Sequence, residues 1–167
     1  MHRYKIYNAP MATTAVMTPV ATGTSIKTML QLAAPATRKL TVLSWGWSID
    51  QAENGQIELL ETGAVAATVT AHVASGVQPL DAGLPASLLT LGATATGYTS
   101  TGEGAITATR MFDQQVVEAT ASGSQWCNYE KVFTPAERPV VSVSSILRVR
   151  AKMNTTTNML CWIAIAE

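Results

Sequence analysis

Short runs of β-branched and aromatic residues, cut apart by Gly, Pro, Asn and Ser, leave this chain little choice but stacked β-sheets. KLTVLSWGWSID, GQIELLETG, AATVTAHV, GAITATRMF, SILRVRAKM and MLCWIAIAE are the clearest of these runs. Each is short and bounded by turn residues, and most alternate with the two-residue period of a strand. The spacing predicts an all-β fold, a two-sheet β-sandwich that is jelly-roll-like, with about nine to eleven strands.

The strands are unusually apolar. Hydrophobic residues make up 47% of the chain and charged ones only 13%. So few and scattered charges outline no active site, and such strands suit packing against copies of the chain or against something larger. A single domain of about this size buries roughly 68–70% of its unfolded surface, so it needs neither a disulfide nor a metal to be stable. Eleven basic residues balance eleven acidic ones. A nucleic-acid binder carries a basic surplus, because phosphate contacts supply most of its affinity, so no nucleic-acid partner is expected. Arg148, Arg150 and Lys152 alternate along one strand and read as a solvated or salt-bridged face rather than a phosphate-binding ridge. MHRYKIYNAP has charge and turn residues where a secretory signal has its apolar core. No apolar run approaches the roughly 18–20 residues that span a bilayer. The expectation is a soluble protein made in a cytoplasm, with no membrane partner.

Two units are expected along the chain. Residues 1–28 read as an extended N-terminal arm that forms an interface, and residues 29–167 as the β-sandwich domain. In the arm, NAPMATTAVMTPVATGTS is small, uncharged and broken by Pro10 and Pro19. It lacks the charge of a typical disordered tail, and Met1, Met11 and Met17 suit an adaptable surface. Within the sandwich, Leu43, Trp45, Trp47 and Ile49 are expected on one face of a strand, with Leu40, Val42, Ser44, Gly46 and Ser48 on the other. Core packing is preferred for Trp45 and Trp47 over a stacking platform for a sugar or base. Asn54–Gly55 signals a hairpin turn. His72, on a threonine-lined face, reads as a hydrogen-bonded surface residue. Residues 74–104 are the least regular stretch, and a loop of that length tends to be functional or interfacial. Its leucines are expected to seal an end of the sandwich or to dock on a neighbour. The candidate interface is thus Tyr4, Ile6, Tyr7, Met11 and Met17 from the arm, with Leu80, Leu84, Leu88 and Leu91 from the loop. In QWCNYEKVF, Cys127, Tyr129, Lys131 and Phe133 oppose Trp126, Asn128, Glu130 and Val132. In ILRVRAKM, Leu147, Val149 and Ala151 face in while the basic residues face out. MLCWIAIAE, apolar on both faces, reads as a strand covered on both sides.

Each constellation that carries chemistry is missing from the sequence pattern. There is no Gly-rich loop followed by Lys and no nucleophile–His–acid spacing around His2 or His72. Glu58, Glu61, Glu103, Asp113, Glu118 and Glu130 read as exposed strand-end charges rather than paired catalytic carboxylates. Asp50, Asn54 and Asp81 carry the oxygen donors of a calcium loop, but no such site is expected. Cys127 and Cys161 are too few for a zinc site; both read as buried small hydrophobes rather than a disulfide. No catalytic residue, cofactor or metal is expected, and the chain does not read as an enzyme.

The order WGWSID, IELLETGAVAATVTAHVASGVQP, LGATATGYTSTGEGAITATR, LRVRAKM and CWIAIAE resembles small virion structural proteins of tailed bacteriophages, the capsid decoration or minor head proteins. The resemblance covers roughly residues 38–167. It implies a β-sandwich on the virion's capsid surface, binding the major capsid protein as an oligomer, in all expectation a homotrimer, and stabilising the shell. It carries no catalytic residues. The alternative reading is a tail-associated receptor- or carbohydrate-binding sandwich, with Trp126, Tyr129, Tyr98 or the Trp45/Trp47 pair stacking on sugars.

Overall fold

The computed structural model of the chain describes residues 1–11, 14–106, 109–119 and 128–167. Among them run thirteen strands: β1 Arg3–Tyr7, β2 Val20–Ala21, β3 Lys27–Ala33, β4 Leu40–Ile49, β5 Gly55–Glu61, β6 Thr68–Ala71, β7 Val77–Pro79, β8 Gly97–Gly102, β9 Arg110–Val117, β10 Asn128–Val132, β11 Val140–Val141, β12 Ile146–Met153 and β13 Asn158–Ala166. A single 3-10 turn, Ala74–Gly76, joins β6 to β7. The surplus over the expected count comes from short pieces such as β2, β7 and β11.

The strands form two antiparallel sheets, so the all-β two-sheet sandwich is the observed architecture. Sheet A has the order β10-β4-β13-β1-β7, with β11 also on β4 and β2 also on β13. Sheet B has the order β6-β8-β3-β12-β5-β9. The two long strands of sheet A are each flanked by short strands laid end to end. On β13, β1 covers Trp162–Ala166 and β2 covers Asn158–Met159. On β4, β10 covers Ser44–Ser48 and β11 covers Leu40–Thr41.

This pairing corrects the expected arm at residues 1–28. β1 lies inside sheet A between β13 and β7. Tyr4 and Ile6 are 1% and 0% exposed, so both belong to the core and not to a free interface. Asn8 fixes the crossing to β13: its side chain donates to the Met159 carbonyl at 3.0 Å and accepts from the Cys161 N–H at 2.8 Å.

Between the sheets, Trp45, Trp47, Ile163 and Ile165 of sheet A meet Leu30, Leu32, Ile57, Leu59, Leu147 and Val149 of sheet B, all buried. Burying a side chain of this size contributes about 1.5–3 kcal/mol. The β4 faces differ from the expected ones. Ser44 pairs with Ala164 but Val42 with Ile165, so Leu43 is a bulged extra residue. One inserted residue slips the two-residue period. Leu40 and Val42 therefore point into the core together with Trp45, Trp47 and Ile49, and Leu43 is half-buried.

β13 also departs from expectation. It is central in sheet A, yet on its outer face Leu160 and Trp162 are only half-buried. The Trp162 indole lies over Gly46 of β4. A Cβ at Gly46 would sit 2.6 Å from the Tyr129 carbonyl oxygen and 2.7 Å from Cε2 of Trp162, so only glycine fits.

Sheet B carries a partial third layer. Residues 62–67 cross its outer face from β5 to β6, and residues 103–106 leave β8 beside them. Gln31, fully buried, accepts from the Ala67 N–H at 2.9 Å and donates to the Ala95 carbonyl at 2.6 Å. Arg148 donates to the Glu103 carbonyl at 3.0 Å and to the Val65 carbonyl. Arg148 is thus completely buried, against the expectation that it faces solvent. Arg150 is half-buried against Glu58, with its Nε 2.6 Å from the carboxylate, and Lys152 is exposed.

Candidate functional site

The carboxylates that the sequence offers by default are occupied within the fold or scattered over its surface. Asp113, on edge strand β9, reaches across to sheet A. It accepts from Trp45 Nε1 at 3.0 Å and from the Tyr129 hydroxyl at 2.7 Å, with Lys131 Nζ at 3.7 Å. Burial together with this carboxylate pushes the Tyr129 phenol up to about 12. Asp113 therefore clasps the two sheets at their open edge, where an exposed strand-end charge was expected. Glu103 accepts from the Thr28 hydroxyl at 2.6 Å and lies 3.5 Å from Arg148. Glu61 is buried and accepts from Arg110 Nε at 2.9 Å and the Ser142 N–H at 3.1 Å. Glu118 and Glu130 are exposed.

Asp50, Asn54 and Asp81 do not converge on one site. The Asp50 carboxyl is held below its ordinary value chiefly by the Thr157 hydroxyl at 2.6 Å. Asn54 accepts from the Ala119 N–H, and Asp81 pairs with Arg3. Among the described residues no group of three or more His, Cys, Asp or Glu side chains is placed to hold a metal. Cys161 is a buried free thiol whose burial pushes it well above its usual value. Cys127 and Trp126 lie outside the described residues.

His72 is not the surface residue its sequence neighbours suggested. It is 4% exposed, packs 4.9 Å from the Tyr98 ring, and its Nε2–H donates to the Tyr7 carbonyl at 2.7 Å. Its other face presses on Gly76. Burial lowers its pKa, with the Tyr7 hydrogen bond acting the other way. The unfolded chain therefore takes up the proton first as pH falls below about 6.5. Stability is expected to drop between pH 7 and pH 5.5, by no more than about 1.4 kcal/mol per pH unit for one proton. Urea midpoints across that range check this: the drop should shrink in His72→Gln, and an equal drop in both proteins would remove His72 as its source.

Two surfaces among the described residues bear on the readings of binding. The first is the loop at 80–91, which leaves β7 and closes one end of the sandwich. Leu80, Leu88 and Leu91 are 47%, 47% and 41% exposed, Leu84 is half-buried, and Leu89 alone plugs the core. The loop is tied down along its length. The Leu80 N–H donates to the Arg3 carbonyl at 2.8 Å, Arg3 pairs with Asp81, and the Tyr4 hydroxyl donates to the Pro85 carbonyl at 2.9 Å. The Leu88 N–H donates to the Glu167 carboxylate at 3.0 Å, and Thr90 bonds Ala33. Of the expected interface residues, the structure thus brings the four leucines to one anchored loop. Tyr7, Met11 and Met17 are half-buried and elsewhere.

The second surface is the outer face of sheet A. Tyr7 and Trp162 are cross-strand partners with ring centroids 6.2 Å apart. Lys5 Nζ sits 5.0 Å from the Trp162 ring and 5.3 Å from the Tyr7 ring. Trp45 and Trp47 are in the core, the packing that the sequence pattern favours over stacking. Trp162 was missed in that pattern, although its parity against Cys161, Ile163 and Ile165 puts it on the opposite face. No protein-family model, curated protein or solved structure matches this chain.

Proposed function

We propose that this chain is a structural protein of a tailed-bacteriophage virion, a capsid decoration protein that binds the major capsid protein on the head surface and stabilises the shell as a homotrimer. The observation that carries this reading is the anchored leucine loop. Exposed apolar side chains on a segment already fixed by hydrogen bonds form a preorganised docking surface, which loses little entropy on binding. The resemblance of the ordered segments over residues 38–167 to small virion proteins is what suggests this class of protein. A trimer engages several shell subunits at once, so modest contacts sum to tight attachment.

The triple substitution of Leu80, Leu88 and Leu91 by Ser tests it. These positions are exposed, so the urea midpoint should change little, since surface substitutions cost about 0.5 kcal/mol or less each. Co-sedimentation with heads assembled from the major capsid protein of the source phage should weaken at least tenfold. Unchanged binding by the folded variant overturns the loop as the docking surface, and no binding by the wild-type chain overturns the shell reading. The second reading, a tail-associated receptor- or carbohydrate-binding module, draws its support from the half-buried Trp162 beside Tyr7.

A further inference from the structure

The geometry points to the outer face of sheet A as a binding site for a neutral saccharide, built around Trp162. This inference does not rest on shell binding, since a head protein and a tail protein can equally carry it.

Strand register lays the site out. Across the sheet, Tyr7 of β1 neighbours Trp162 of β13, Trp162 neighbours Gly46 of β4, and Gly46 neighbours Glu130 of β10. Gly46 offers no side chain, so the indole lies down over β4 in the space a Cβ would fill. The indole is thereby laid against β4 over Gly46, with the Tyr7 ring tilted 45° beside it. An aromatic floor of this kind suits the C–H face of a pyranose ring, much as planar side chains receive the faces of bases.

Polar groups surround that floor. On the β1 side, Lys5 neighbours Gln78 of β7. Its ammonium lies over both rings, so a sugar that stacks on Trp162 displaces it to the edge of the floor, where it donates to a hydroxyl. On the other side stands the exposed Glu130, with half-buried Ser48 one pleat along β4. An apolar ring with a few donors and acceptors around it is the composition of a small-molecule site. Donors and acceptors of this kind match sugar hydroxyls. The charge of Lys5 is balanced by that of Glu130, which favours a neutral glycan over a polyanion.

Affinity electrophoresis of the intact protein tests the site, in native gels cast separately with dextran, yeast mannan, β-glucan and galactan, and with hyaluronan as the acidic arm. The expected result is retardation in at least one neutral gel, reduced at least tenfold in apparent affinity by Trp162→Ala and at least threefold by Glu130→Ala. Glu130 is exposed on an edge strand, so its variant serves even if Trp162→Ala fails to fold. No retardation in any neutral gel overturns the proposal, as does retardation in hyaluronan alone. Neutral-gel retardation that survives Glu130→Ala or a folded Trp162→Ala also overturns it. The leucine triple variant, by contrast, should run in every gel as the wild type does, which separates this site from the docking loop.

Discussion

Removing residues 1–9 is expected to abolish the folded state rather than to trim an arm. β1 is a strand within sheet A, flanked on both sides. Deleting it exposes the core positions of Tyr4 and Ile6, each worth about 1.5–3 kcal/mol of burial. It also strips β13 of the two hydrogen bonds made with the Asn8 side chain, at about 1 kcal/mol each. The loss, on the order of 5–8 kcal/mol, is comparable with the whole net stability of a typical domain, about 5–15 kcal/mol. Circular dichroism on heating should show no cooperative transition for the truncated chain. A transition within a few degrees of the full-length protein would mean that β1 is dispensable. The milder Ile6→Ala should cost about 2–4 kcal/mol by urea denaturation, as other large-to-small core substitutions do.

The second large effect is expected at Glu103. Its carboxylate faces the fully buried Arg148 and the buried Thr28 hydroxyl. Glu103→Ala leaves that guanidinium without a counter-charge, which costs about 3 kcal/mol or more when the stranded group is buried. Arg148→Met removes the buried charge itself and leaves Glu103, whose side chain is 26% exposed, able to meet water. It should therefore cost less than Glu103→Ala, even though the Val65 and Glu103 carbonyls lose a donor. Urea denaturation of both variants measures the order. If Arg148→Met is the more destabilising, the guanidinium acts mainly as a strap for the two crossing segments and not as half of an ion pair.

The sheets were legible because alternation is a local property. In ILRVRAKM the inward set Leu147, Val149 and Ala151 follows directly from it, and the structure buries all three. Alternation fails wherever a distant segment intervenes. The bulge at Leu43 arises from how β13 pairs with β4, so five inward residues of β4 read as belonging to two faces. Arg148 and Gln31 look solvent-facing until residues 62–67 are laid across them. The N-terminal strand, with Arg3 and Lys5 beside Tyr4 and Ile6, reads as a fringe, and only its pairing with β13 makes it central. For the candidate site, the leucine loop was visible as apolar residues in an irregular stretch. The Trp162 platform was not, because a tryptophan in an apolar strand reads as core until the outer face of that strand is known to be uncovered.

The adjacency of β1 and β13 sets the timing of folding. Asn8 and Met159, which bond each other, are 151 positions apart in the chain. A ribosome releases β1 long before its partner exists, so sheet A cannot close during most of synthesis. Until then Tyr4 and Ile6 wait in solvent, and the inner face of β4 lacks its central neighbour. Loops of such length are slow to close, and sandwiches dominated by distant pairings fold in milliseconds to seconds rather than microseconds. Many chains made at once would hold those apolar strands open together, which makes the interval after translation, more than the finished protein, the point at which misassembly competes with folding.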